Sequence, residues 1–485
     1  MNTRQRWIAA CAAATLAGCA GPASTDSGIA APEAWRFAKA APAAPAQPAA
    51  ANMLADDWWR AFGNSELDRL VAQASANNND LAAAMARVDQ ARASARIAGA
   101  ALLPTVSGFG DASHQGGLIV SSTSDNGTGF DLGLVASYEL DFWGKNRATR
   151  DAARATWRAS AYDRDTVALT LSADVTNAWL QAVAMRERTA IAARNVQSAA
   201  RVLANVESRY RAGAATATEL AQQRAALATQ RRSLAALSSQ ANDSLTTLAV
   251  LLGEPVSQLQ VATDSLDALQ TPAIDAGVPS SVLVQRPDLA HAEALLAAAD
   301  ANITVARAAM LPSLSLSASV GVGSEKIRTL FDSTVYSVAA GLTAPIFNGG
   351  ALRAGRDLAV AQRRELLASY RQAIVAAFGD VERALNAVQG ADAQLAASRE
   401  EVDAAQQALA LAESRYRAGA ETFLTVLSAQ QTLFAAQDSA ATLRLARLQA
   451  SVGLYRALGG GWHKPSGDAL AGQAGAPAPR AASAG

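Results

Sequence analysis

The chain has 485 residues, with 42 Lys+Arg balanced by 42 Asp+Glu, so no basic excess is available to neutralise a phosphate backbone and a nucleic-acid partner is excluded. Half of the residues are hydrophobic but only 5% are aromatic, an alanine-rich composition that suits long, closely packed helices better than a bulky globular core. The two cysteines, Cys11 and Cys19, both fall before residue 20, which leaves no disulfide framework and no thiolate metal site.

In chain order, Arg4 and Arg6 precede an apolar stretch from Trp7 to Ala17 that ends in Leu16-Ala17-Gly18-Cys19. This looks like a lipobox: residues 1–18 read as a signal peptide, and Cys19 becomes the lipidated first residue of the mature chain. Ala20 is not the aspartate that retains lipoproteins at the inner membrane, so anchoring in outer-membrane lipid is expected. Residues 19–54, with Ala41-Pro42-Ala43-Ala44-Pro45, read as an Ala/Pro-rich tether. Beyond the signal segment there is no run of 18 or more apolar residues, so any membrane crossing must be made by strands.

From residue 55 the chain reads as one unit written twice, 55–265 and 266–460, followed by a flexible tail, 461–485. Glu207-Ser208-Arg209-Tyr210-Arg211-Ala212-Gly213-Ala214 recurs identically as Glu413-Ser414-Arg415-Tyr416-Arg417-Ala418-Gly419-Ala420. Asp80-Leu81 and Leu103-Pro104 likewise recur as Asp288-Leu289 and Leu311-Pro312. Each copy is expected to run helix, strand, loop, strand, long helix, tight turn, returning helix.

The strands announce themselves by alternation. Leu314, Leu316, Ala318, Val320 and Val322 alternate with serines and Gly321; Val338, Ala340, Leu342, Ala344 and Ile346 oppose Ser337, Ala339, Gly341 and Thr343. In the first copy Phe130 to Phe142 alternates similarly, while the strand opened by Pro104 is less regular. About ten alternating residues also suit a soluble sandwich, but with the lipoprotein signal and the duplication they favour tilted membrane strands. The loops around Ser121–Gly127 and Ser324–Phe331 are expected outside. Four strands cannot enclose a solute path, and open edges in lipid would strand backbone groups, so several chains must share one barrel.

Leu367, Ile374, Val381, Val388, Leu395, Val402, Leu409 and Tyr416 recur every seven residues. Small residues follow three positions after most of them: Ala377, Ala384, Ala391, Ser398, Ala405 and Ala412. This large/small seam predicts a helix from about Ala351 to Tyr416, on the order of 100 Å long. Leu220, Leu227, Leu234 and Leu248 repeat the spacing on the first returning helix, so each copy closes an antiparallel hairpin at Tyr-Arg-Ala-Gly.

Five segments carry a family resemblance: Asp57-Trp58-Trp59-Arg60-Ala61-Phe62, Tyr138-Glu139-Leu140-Asp141-Phe142-Trp143-Gly144-Lys145, Arg286-Pro287-Asp288-Leu289, Pro345-Ile346-Phe347-Asn348-Gly349-Gly350, and the paired Arg-Tyr-Arg-Ala-Gly turns. Together they resemble the TolC-like outer-membrane efflux factors, specifically the NodT-type lipoproteins of resistance-nodulation-division efflux systems. The resemblance implies a mainly α fold with a small β part. In a homotrimer it would form a twelve-stranded outer-membrane β-barrel continued by a long periplasmic α-helical tunnel. It also implies a passive exit channel, docked to a periplasmic adaptor (membrane fusion protein) and energised by an inner-membrane efflux pump.

The family's periplasmic tips, where the tunnel narrows and adaptors bind, correspond here to Arg209, Tyr210, Arg211 and Gly213, and to Arg415, Tyr416, Arg417 and Gly419. Relatives often carry an aspartate beyond the second tip; this chain has Leu427-Ser428-Ala429-Gln430 there, with Thr425 one turn earlier. Glu219 and Glu421 lie near the tips as substitute carboxylates, and Arg417 is expected to donate to a carboxylate or a backbone carbonyl across the hairpin interface, with Glu219 a candidate acceptor.

Two rival classes fit the sequence less well. For an enzyme, His114, His291 and His463 have no metal-ligand spacing, and no nucleophile elbow or phosphate loop occurs; no catalytic residue, metal or cofactor is expected. A periplasmic coiled-coil adaptor lipoprotein would have one hairpin between soluble domains, whereas this chain has two hairpins and two strand pairs.

Overall fold

A computed structural model describes residues 27–38, 55–115 and 127–465. The signal segment, Cys19, the loop residues 121–126 and the tail from residue 466 lie outside the described residues.

The first repeat begins with two asparagine caps. The Asn64 side chain accepts from the Glu66 and Leu67 amides and starts α1 (Ser65–Asn77); Asn78 does the same for Asp80 and Leu81 and starts α2 (Asn79–Ala100). Strands β1 (Thr105–Gln115) and β2 (Gly127–Leu140) follow, then α3 (Lys145–Arg211) and α4 (Ala217–Leu252). The second repeat keeps this order: α5 (Pro279–Gln285), α6 (Pro287–Ala308), β3 (Ser313–Ser324), β4 (Thr334–Thr343), α7 (Ala351–Arg417) and α8 (Phe423–Ala457). Pro287 opens α6 from its first position while Arg286 before it is extended, as the ring of a following proline demands.

The four strands form one sheet in the order β1-β2-β3-β4, every pair antiparallel, so the β2–β3 ladder joins the two repeats. One face carries Leu132, Leu134, Val320, Val322, Tyr336 and Val338; the other carries mainly serine, glycine and threonine. Two strands end earlier than their alternation suggests. Beyond Leu140 the Asp141 carboxylate accepts from the Asn146 and Arg147 amides, turning the chain into α3 and leaving Phe142 in the turn. Beyond Thr343, Pro345 has no amide hydrogen for a ladder, and Ala344 and Ile346 continue outside β4. Among the described residues the sheet has two free edges, β1 and β4.

Both long helices have 67 residues, about 100 Å at 1.5 Å per residue. The heptad seam on α7 points inward: Ile374, Ala377, Val381, Ala391, Ser398, Ala405, Leu409, Ala412 and Tyr416 are buried, while Leu367, Val388, Leu395 and Val402 are half-buried. Midway along the rods, Phe62, Leu67 and Leu70 pack against Trp179, Leu180, Leu248 and Leu252. The Glu66 carboxylate accepts from the amides of Ala262 and Thr263 and from the Trp179 indole, which fastens the inter-repeat linker to α3. Burial acts to raise the Glu66 pKa, and these hydrogen bonds more than offset it, so the carboxyl sits below its ordinary value.

Two segments read as loose are in part attached. Within the tether, Trp35 is buried among α5 and α7 residues and donates its indole to Gly277 O (3.0 Å), while the Arg36 and Phe37 amides donate to the Glu382 carboxylate. Composition argued only that this segment cannot form a core alone; residues 27–38 use the surface of the second repeat instead. At the start of the tail, Trp462 packs on Tyr162 and donates to Asp165.

Candidate functional site

At the first tip α3 ends in a Schellman motif: the Gly213 amide donates to Tyr210 O and the Ala214 amide to Arg209 O. The second tip is its copy, with Gly419 donating to Tyr416 O and Ala420 to Arg415 O. Both glycines have φ of +74°, and a Cβ at either would meet nothing within 4 Å, so backbone sign alone selects glycine here.

The tips diverge immediately afterwards. Thr216 and Glu219 form a reciprocal capping box: the Glu219 amide donates to Thr216 Oγ1, and the Thr216 amide to the Glu219 carboxylate (2.6 Å). The expected reach of Arg417 to Glu219 is therefore not the contact formed. Glu219 is engaged at its own helix start, and Arg417 Nε donates to Glu413 O one turn back on α7. The Thr-x-x-Glu spacing was the signal that could have revealed this. In the second copy the corresponding position is Thr425, and Glu421, just ahead of the helix, accepts from the Thr422 amide and Thr425 hydroxyl and pairs with Arg415 at 3.5 Å.

At the tips, Arg209 reaches from the first hairpin to the second. Its guanidinium lies 4.5 Å from the Tyr416 ring centroid, and its terminal nitrogens point to Tyr416 O and Ala214 O. Tyr416 is itself wedged against Phe423 with centroids 5.6 Å apart, and burial pushes its phenol pKa up. Its hydroxyl is buried without a hydrogen-bond partner among the described residues. Tyr210 and Arg211 remain exposed on the first tip. Beside the tips Ser198, Arg201, Asn205, Glu413 and Arg417 line a groove of about 210 Å³ between the hairpins.

Sequence reasoning missed several residues that hold the rods in register. Arg286, in the Arg-Pro-Asp-Leu segment, bonds Asp288, Asp380 and Ala457 O and so ties α6, α7 and α8 together. Arg188 pairs in a bidentate fashion with Asp438 between α3 and α8. Among the described residues no group of three or more His, Cys, Asp or Glu could hold a metal ion, and no helix is long and apolar enough to cross a membrane.

An amphipathic sheet with two free edges, at one end of paired rods whose glycine-turned tips meet at the other, defines one wall segment of a membrane duct. A family model described as outer membrane efflux protein matches residues 70–254 and 278–460, and the chain belongs to that family. It is 51% identical over 452 residues to the pyoverdine export outer membrane protein OpmQ of Pseudomonas aeruginosa, covering 91% of this chain and 93% of that one. Two solved structures are similar: the outer-membrane channel OprN, with a TM-score of 0.82, 29% identity and coverage of 85% of this chain and 94% of that one; and CusC, with 0.78, 30%, 88% and 99%. The fold is that of the TolC-like channels, in which three chains build a barrel and helical tunnel, and the protein is an outer-membrane exit channel of a tripartite efflux system. The family is one of transport proteins, located in the bacterial outer membrane, which displaces the adaptor alternative.

Proposed function

We propose that this channel is anchored by lipid on Cys19, docks a periplasmic adaptor at its two tips, and receives from an inner-membrane pump a solute of the pyoverdine class. The cargo reading rests on the likeness to OpmQ, which extends through nine-tenths of the chain and is much higher than the 31% identity to the Escherichia coli cation efflux protein CusC. We further propose that the tips gate the duct, a reading supported by the Arg209–Tyr416 contact, a weak polar joint beside the apolar cluster of Val206, Leu409 and Phe423. Contacts of this kind contribute about 0.5–2 kcal/mol, little enough for adaptor binding in the adjoining groove to overturn.

The test is complementation of a Pseudomonas aeruginosa strain lacking its pyoverdine export outer membrane protein. Restored pyoverdine in the medium is the expected result; normal trimer in the outer membrane with no restoration would overturn the cargo assignment. Mass spectrometry of the mature N-terminus checks Cys19, and a cysteine placed at Arg328, between β3 and β4, should react with an impermeant reagent on whole cells.

A further inference from the structure

Strand β1 is where the alternation breaks, and the structure shows what stands in its place. Gly108 and Gly110 fall on the apolar face, where Leu134 Cδ2 and Leu132 Cδ1 from β2 lie 3.6 and 3.5 Å from the positions their Cβ atoms would occupy. Phe109 falls on the polar face, 43% exposed, among Ser107, Gly133 and Gly321. It is the only aromatic side chain on that face among the described residues. Its ring tip reaches within 2.9 Å of where a Cβ on Gly133 would be. There β2 and β3 come so close that a Cβ on Gly321 would meet Leu132 O at 2.8 Å. The ring tip thus lies over Gly133, at a tight β2–β3 approach that leaves no room for a side chain there.

One step toward the β1–β2 loop, Asp111 and Asp131 stand directly opposite each other on the same face. Like charges in that position destabilise a sheet, and no Lys, Arg or His among the described residues pairs with either. The neighbouring strand leaves room for the charge: a Cβ on Gly323 would lie 2.5 Å from Asp131 Oδ1. Folding gains nothing from a repelling carboxylate pair beside a phenyl ring on a water-facing wall. Local choices that oppose the fold mark surfaces shaped by something else.

We propose that Phe109 with Asp111 and Asp131 forms a cargo-contact band inside the barrel, favouring cations that bear a planar ring. Threefold repetition sets three phenyl faces beside six carboxylates around one lumen. The carboxylates raise the local concentration of cations, and the phenyl face adds stacking and cation–π attraction that a simple inorganic cation exploits poorly because of its tight hydration. This rests on the channel reading but not on the pyoverdine assignment.

The experiment is single-channel recording of the full-length trimer in a planar bilayer. Benzyltrimethylammonium is added on the loop side, with tetramethylammonium as the ringless control. Phe109→Leu keeps bulk and removes the aromatic face, and its trimer on unboiled gels confirms assembly; it should raise the half-blocking concentration of benzyltrimethylammonium about three- to five-fold while leaving tetramethylammonium unchanged. Phe109→Trp should restore block. Asp111→Asn combined with Asp131→Asn should bring the potassium-over-chloride preference toward unity. Unchanged block in Phe109→Leu, or equal changes for both cations, overturns the band and leaves the channel standing. Absence of any current from inserted trimer, with Arg209→Ala as with the parent, overturns the channel reading, and the band falls with it.

Discussion

The Arg209 guanidinium lies over the Tyr416 ring, 4.5 Å from its centroid, so the tip of the first hairpin rests on the last turn of the second repeat's long helix. Arg417, one residue beyond Tyr416, points back along its own helix to Glu413 O. The two arginines of the repeated turn therefore have different tasks.

Arg209→Ala should raise resting conductance at least about five-fold in bilayers, the factor expected for loss of roughly 1 kcal/mol of cation–π attraction in one chain alone. Arg417→Ser should leave it near the parental value. Tyr416→Phe keeps the ring and removes a hydroxyl that has no partner among the described residues, so it should also stay closed. Equal leakage from Arg209→Ala and Arg417→Ser would show that the joint lies elsewhere.

Removing the capping box tests whether the first tip depends on it. Thr216→Ala or Glu219→Ala should cost about 1 kcal/mol locally. The measurement is faster amide hydrogen exchange in the first turn of α4, with no change at the second tip. Glu421→Gln should have a smaller effect, since its ion pair with Arg415 is exposed and such pairs contribute about 0–1 kcal/mol.

Glu66 gives the protein a pH dependence of defined sign. Its folded pKa lies below the ordinary 4.5, so its contribution is fully present above that value and is lost as pH falls through the folded pKa. Glu66→Gln should lower the heat stability of the trimer at pH 7 by the equivalent of roughly 1–2 kcal/mol, allowing for partial exposure. The gap between variant and parent should close as the pH falls through the folded pKa of Glu66. A gap that widens on acidification would contradict the account.

The N-terminal strap should open without loss of the channel. Trp35→Ala empties a buried indole site between α5 and α7 and removes the bond to Gly277 O. Limited proteolysis should then cut within residues 27–38 at least ten-fold faster, on the scale of a buried Trp→Ala loss of about 3 kcal/mol, while the trimer persists on unboiled gels. Release of the trimer itself would show that the strap carries more of the assembly than its contacts indicate.

What the sequence determined by itself was everything that repeats with a local period. The duplication set the order of elements, because a unit found stable once folds the same way twice; the seven-residue seam set the length and inward face of α7; and the glycines at 213 and 419 set the turns, because positive φ is a property of one residue. Contacts between residues far apart in sequence were decided by the tertiary structure. Arg209 and Tyr416 are 207 positions apart and Arg36 and Glu382 are 346 apart, and no periodicity connects such pairs. Glu219 sits between the two cases: its Thr-x-x-Glu spacing is local, yet a carboxylate near a helix start can cap or can bridge, and only the folded hairpin chose the cap. The sheet divides in the same way. Alternation placed the oily face on β2, β3 and β4, but on β1 the glycines and Phe109 acquire meaning only when β2 and β3 lie beside them, because a glycine says what is missing and its neighbours decide what fills the space.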